Sequence, residues 1–521
     1  MTGEPNPSRD GNQAARSHAL EFFVLLALGV MLLASNSRVT FIDDEASFLN
    51  GAAAPVSQTF HTIWNSSVPI DHPALGDIVL HCWLSLTGGA FDWLRVPSIL
   101  FNLAGVFFLS RAAKKLGADD AARITIWLGA LWPYGFHYGR MATASPLGFL
   151  LIAAVTFCYL GYVEHPTLAS AACVILLLVG LVWTTFLGWP IAICLGIDFV
   201  QRRRCNGGRA SRPLAIAALI LAAAYIPLYR TVWRAFAAGP HLPHSLLTLA
   251  LNAAFNVYAA FVSESVAPWF WQLGIPAALC VACCISVVTR YASAPTRRVW
   301  FYAFALLALM AVAGVLNPRN LLELSAWLLL AISVTLGTMS RGVWRRTLLA
   351  SLAGILFVGW LGIIERTHYA APRLIEPWQQ VADEAATRAR LGQTVVGNNP
   401  AFFFYLTYAI PAPAQSGRWR FLGVLPETVT YPGVYEAETW LLASRNDPYV
   451  YFVRGAPGPD QEGPAWDAEQ RLRASCVMEN EQLILPDPAA ALKARFYNVF
   501  SGMRWRIRVL EFRCPTGESK R

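Results

Sequence analysis

The chain has 521 residues, 55% of them hydrophobic and 14% charged, well below the roughly 25% charge of an ordinary soluble chain. Its net charge of +9 arises from 41 Lys and Arg against 32 Asp and Glu. The basic residues sit in short turns between apolar runs, which fits the positive-inside pattern of a membrane protein and excludes a nucleic-acid partner.

Taken in order, residues 1–19 read as a polar cytoplasmic tail, expected to be disordered over 1–17. The first apolar run, Leu20 to Ala34, lacks a good small-x-small cleavage site and reads as a retained anchor rather than a signal peptide. Runs at 20–36, 93–112, 122–138, 145–163, 168–183, 185–200, 213–231, 268–289, 298–316, 321–338 and 347–364 predict a polytopic α-helical membrane protein of about 11 transmembrane helices. Four basic turns set the orientation: Arg111 to Arg123, Arg202 to Arg212, Arg290 to Arg298, and Arg341 to Arg346. With all four in the cytoplasm, the spans alternate from a cytoplasmic N-terminus to an extracytoplasmic C-terminus. That alternation requires the run 168–200 to cross twice, with a break near Thr184–Pro190. It also requires Ala74–Thr87, which is short and carries Asp77 and His81, to lie along the interface.

The first extracytoplasmic loop, about 37–92, opens on Phe41-Ile42-Asp43-Asp44-Glu45. Carboxylates beside hydrocarbon are costly and tend to mark function; the competing reading is that they start a helix, where acids are favoured. Asp71-His72-Pro73-Ala74-Leu75 follows in the same loop, again at a helix start. A second loop, 232–267, holds His241, His244 and Glu264 around a moderately apolar helix. Two histidines without a third ligand do not make a metal site, and neither metal nor cofactor is expected.

Beyond Glu365 the membrane runs stop and Pro, Gly and charges rise, so 365–521 is expected to be an extracytoplasmic soluble α/β domain. A helix is predicted over 377–391, with strands at 448–453 and 504–512. Cys280 and Cys283 lie in an apolar run and read as packing residues. Cys476 and Cys514 lie in the tail, where an oxidising compartment would allow them to pair.

Four motifs come in a telling order: Asp44-Glu45 at the outer end of the first span, His72-Pro73-Ala74-Leu75 before an interfacial helix, Arg95-Val96-Pro97-Ser98 opening the second span, and Trp132 to Arg140 closing the third. A weaker fifth, Asn317-Pro318-Arg319-Asn320, enters a later span. This order resembles the membrane-embedded C-type (GT-C) glycosyltransferases of the protein O-mannosyltransferase and lipid A aminoarabinose transferase kind. The likeness is firmest over residues 20–200, and the layout extends it to the end of the chain. It implies a transmembrane glycosyltransferase-like domain over 20–364. The chain departs from the pattern in two places. Ala74 replaces a second proline, and Met141 to Pro146 carries no acid where relatives often have one. Asp43 and Asp71 are then the acids left to compensate.

The resemblance implies a polyprenyl-phosphate-linked sugar donor and an extracytoplasmic acceptor, whether glycan, lipid or protein. A carboxylate would deprotonate the acceptor hydroxyl, with Asp44 first in line as base and Glu45 as its partner. Arg140, Arg319 and His72 would hold the donor phosphate, Arg through its bidentate fork. Asp43, Asp71, Tyr138 and Glu264 complete the candidate substrate contacts. The alternatives are a transporter or flippase of lipid-linked sugar, or a catalytically inactive relative. A transporter would place its ionisable residues in broken midplane helices, whereas here they concentrate at span ends and in outer loops.

Overall fold

The computed structural model describes residues 7–36, 43–65, 73–88, 93–205, 211–229, 246–263, 265–313, 316, 320–364, 378–398, 402, 406, 419–421, 434–436, 449–457, 464–484 and 505–515. The chain is mostly helical. Helix α1 spans Pro7–Ala34 and so begins inside the stretch expected to be disordered, because Gln13, Ala14 and Ala15 are strong helix formers that extend the apolar helix backwards. Three short helices follow: α2 (Asp43–Ala53), α3 (Val56–Asn65) and α4 (Leu75–Thr87). Gly88 ends α4 in the left-handed region at φ 66°, where a residue without Cβ turns the chain at little cost.

Next come α5 (Val96–Leu131), α6 (Pro133–Tyr138), α7 (Ser145–Glu164), α8 (Leu168–Val182), α9 (Gly188–Cys205) and α10 (Ser211–Tyr225). Two separate spans are expected over 93–112 and 122–138; α5 runs through the first and on to Leu131 in the second, which α6 completes. Helix α5 nevertheless folds back on itself. Ser110 Oγ bonds the Ala122 carbonyl, and a Cβ on Gly129 would meet Val106, contacts that a straight helix of 1.5 Å rise per residue cannot make. The second arm stops at Leu131, where Pro133 removes an amide donor and Trp132 turns extended. The expected break in 168–200 falls between Val182 and Gly188. There Thr185 accepts from Leu187 N and donates to Glu323, tying the break into the bundle core.

The bundle continues with α11 (Leu246–Val262), α12 (Gly274–Tyr291), α13 (Ala294–Val312), α14 (Leu321–Thr338) and α15 (Val343–Ile364). Among the described residues, five helices are long and apolar enough to cross a membrane: Val96–Gly117, Ser145–Glu164, Gly274–Tyr291, Leu321–Thr338 and Val343–Ile364. The other apolar helices are shorter. The core forms around α14, which is buried along nearly its whole length between the α5 hairpin and α7. Gly337 permits this approach, since a Cβ there would stand 2.6 Å from the Ala121 backbone.

The charged turns gather at one end. Lys115 pairs with Glu164, Arg341 and Arg345 with Asp120, and Arg202 and Arg298 with Asp198. Arg95, Arg140 and the start of α2 lie at the other end.

The tail holds α16 (Trp378–Arg390), β1 (Thr394–Gly397), β2 (Trp419–Phe421), β3 (Val434–Glu436), β4 (Tyr449–Pro457), α17 (Pro464–Ser475), β5 (Val477–Ile484) and β6 (Trp505–Arg513). The strands form a mixed six-stranded sheet in the order β3-β2-β1-β4-β6-β5. Strands β1 to β4 are mutually parallel where they pair, and β6 runs antiparallel to β4 and β5. One face packs under α17; the other continues through α16 into the apolar sides of α2 and α4. Cys476 and Cys514 are joined by a disulfide that ties the start of β5 to the end of β6.

Candidate functional site

The site forms where the ends of α1, α5 and α7 meet the first turn of α2. Asp43, Asp44 and Glu45 are the first three residues of α2, a position whose exposed amides and dipole favour carboxylates. The side chains of Asp43 and Asp44 lie outside the described residues; that of Glu45 is fully buried. Arg95 meets it as a two-pronged partner, with Nε 2.8 Å from Oε1 and Nη2 2.6 Å from Oε2. The Ala142 amide also donates to Oε1 at 2.9 Å. Both carboxylate oxygens are therefore engaged, and Glu45 fastens α2 to the head of α5 and to the segment before α7.

Arg140 ends the turn that follows α6. It is 3% exposed, and among the described residues it has no carboxylate in ion-pairing range. Its Nη1 donates to Ser35 Oγ at 2.7 Å, its guanidinium stands 4.4 Å from the Phe136 ring centre, and its buried Nε has no acceptor among the described residues. Burial presses its pKa down to about 9, with Arg95 adding to the shift and Glu45 opposing it. It stays protonated at neutral pH. The Arg95–Glu45 pair is neutral as a unit, so the described cluster keeps one positive charge away from water.

Asn102 sets the turn that carries Arg140. It lies two helical turns beyond Arg95, is almost fully buried, and donates through Nδ2 to the Gly135 carbonyl at 3.2 Å. Gly139 N donates to the same carbonyl at 2.9 Å. A Cβ on Gly139 would stand 2.2 Å from Asn102 Nδ2, so the turn closes over Asn102 only with glycine there.

Tyr138 is buried, its ring 4.7 Å from both Tyr134 and His137 within an aromatic cluster at the turn. Asp71, His72, Glu264 and Arg319 lie outside the described residues, as do His241 and His244. The structure thus brings Glu45, Arg140 and the α2 backbone of Asp43 and Asp44 to one place. It adds Arg95, Asn102 and Ser35, which sequence reasoning did not name as site residues. Arg95, Ser98 and Asn102 recur at helical spacing within an apolar span, a polar stripe that was the available signal. Ser35 carried none.

No protein-family model matches the chain, and no curated protein matches its sequence. Among solved structures, it resembles ArnT from Cupriavidus metallidurans bound to undecaprenyl phosphate, with a TM-score of 0.57, 14% identity, and coverage of 94% of this chain and 97% of that one. The apo state of the same protein gives 0.57 and 13%, covering 96% and 98%. The archaeal oligosaccharyltransferase AglB from Archaeoglobus fulgidus aligns at 0.46 and 11% over 84% of this chain and 69% of that one, too distant to carry an argument. At such identities the likeness is one of fold. The chain shares the fold of ArnT over nearly its whole length.

Proposed function

We propose that the protein is an integral-membrane glycosyltransferase that moves a sugar from a polyprenyl-phosphate donor to an acceptor hydroxyl on a glycan, lipid or protein outside the cell. The observation that carries this reading is Arg140, a desolvated guanidinium without a carboxylate partner among the described residues, set beside an acidic helix start. A buried cation is stable when an anion meets it, and a guanidinium fork suits a phosphate. The donor phosphate supplies that anion while its lipid stays in the bilayer. ArnT, the fold neighbour, was crystallised with undecaprenyl phosphate.

In this reading Asp44 takes the proton of the acceptor hydroxyl as its oxygen forms a bond to the anomeric carbon. The bond from that carbon to the phosphate oxygen breaks, and polyprenyl phosphate leaves with the electron pair. Arg140 meets the charge that develops on it, with Arg319 and His72 as further ligands. Glu45 positions the site through Arg95 and Ala142, while Asp43, Asp71, Tyr138 and Glu264 are reserved for substrate. The basic end of the bundle faces the cytoplasm of a bacterial cell, so the site and the tail open outside. The Cys476–Cys514 disulfide supports that side for the tail.

The test is transfer of a radiolabelled sugar from undecaprenyl phosphate in liposomes. The wild-type protein transfers, and Asp44→Asn loses about 10²–10⁴-fold, the worth of a general base. Transfer untouched by Asp44→Asn would remove the base. Solute transport without any transfer would favour a transporter.

A further inference from the structure

We infer that Ser35, at the end of the first helix, is a second ligand of the lipid-linked phosphate. The inference rests on the proposed donor reading and adds a residue to it. Ser35 Oγ is the one neutral oxygen that the described residues set against Arg140, accepting from Nη1 at 2.7 Å. Its own proton goes to the Leu32 carbonyl at 3.1 Å. That carbonyl belongs to the last turn of α1, where helix carbonyls lack intrahelical partners and exchange them at little cost. A hydroxyl rotates freely about its C–O bond. It therefore changes acceptor, from Leu32 to a phosphate oxygen, without any movement of the backbone.

The geometry of the guanidinium makes that exchange follow from binding. Arg140 commits one donor to Ser35, and its buried Nε has no acceptor among the described residues. An oxyanion that engages the remaining donors lies next to the acceptor already on Nη1. The next oxygen of a tetrahedral phosphate then reaches the hydroxyl. Ser35 also gives the cradle a link to the acids. The neighbouring Asn36 carbonyl accepts from Arg95 Nη1 at 3.4 Å, and Arg95 holds Glu45 at the start of α2. A phosphate seated on Arg140 and Ser35 thus grips the same helix end from which the chain continues to Asp43 and Asp44.

The experiment measures undecaprenyl phosphate binding to the full-length protein in detergent micelles, by calorimetry, with thermal unfolding of each variant alongside. Ser35→Ala weakens binding about tenfold, the usual scale for one hydrogen bond to a charged group, with an unchanged unfolding temperature. Ser35→Thr keeps the hydroxyl and binds within about twofold of wild type. Arg140→Gln is the control for the donor reading and loses binding altogether. If Arg140→Gln loses binding while Ser35→Ala matches wild type, the inference on Ser35 falls and the donor reading stands. If the wild-type protein binds no undecaprenyl phosphate, both fall. Displacement by an equal concentration of phosphatidylglycerol would mean that an ordinary lipid headgroup fills the cradle, and would also overturn the inference.

Discussion

Glu45 and Arg140 are both buried charges at one helix junction, yet their surroundings give them opposite characters. Glu45 has every oxygen committed, to Arg95 and Ala142. Replacing it with Gln removes the carboxylate that the buried Arg95 meets through two hydrogen bonds, which costs about 3–5 kcal/mol. We expect Glu45→Gln to lower the unfolding temperature in detergent sharply, with activity falling in parallel, whereas Asp44→Asn loses transfer at an unchanged unfolding temperature. The same scale governs Gly139. Its Cβ would lie 2.2 Å from Asn102 Nδ2 and 2.4 Å from the Gly135 carbonyl, so the turn bearing Arg140 has to move. Gly139→Ala should cut transfer at least tenfold, given how steeply rate depends on placement. Asn102→Ala should cost less, because Gly139 N still bonds the Gly135 carbonyl. A ranking in the opposite order in the transfer assay would show that the turn does not set the position of Arg140.

The α5 hairpin is the element on which the site depends. Its first arm starts with Arg95 and its second leads to Arg140, so one fold-back brings both cations to the same end of the bundle. The hairpin tip at the other end is held by Asp120. The hydrogen bond from Arg345, helped by Arg341 and opposed by partial burial, keeps the Asp120 carboxyl below its usual value near 3.8. A carboxyl lowered in the folded state stabilises above its unfolded pKa, and that contribution fades as pH falls through the folded value. Asp120→Asn should therefore unfold at a slightly lower temperature than wild type at pH 7, and the gap should close below about pH 4. The effect is small because the Asp120 carboxylate is itself partly open to solvent, which screens its partners. A gap that does not shrink as the pH falls below about 4 would mean that the Asp120 side chain acts through something other than its charge. The sequence offered two apolar runs and a basic turn, and so predicted the hairpin's arms. It did not reveal that the helical backbone continues through the turn, because no proline or glycine pair interrupts it between Leu116 and Arg123.

At the scale of the whole molecule, the tail is joined to the bundle by apolar packing as well as by the chain. Trp378, Val381 and Ala385 of α16 belong to one buried cluster with Phe48, Leu49 and Leu80 from α2 and α4. The tail therefore braces the helix that begins with the acids. Its own far edge depends on the Cys476–Cys514 bridge, which closes a loop with a sequence separation of 38. A loop of that length corresponds to about 4 kcal/mol in the chain-entropy account. Cys476→Ser should make β5 and β6 much more sensitive to trypsin while the membrane helices stay protected. Equal sensitivity of tail and bundle would argue that the two unfold as one unit.

Composition, hydropathy and charged turns determined by themselves that the chain is a helical membrane protein with a polar α/β tail, because burial in lipid dictates residue type position by position. Local motifs placed the acids at a helix start and Arg140 at the close of a span. Only the tertiary structure decided which charges are spent and which remain available. Glu45 and Arg95 are 50 residues apart and become neutral only in contact, whereas Arg140, in the same neighbourhood, meets a serine hydroxyl and an aromatic face among the described residues. Pairing is a property of distance in space, and hydropathy along a chain does not encode it.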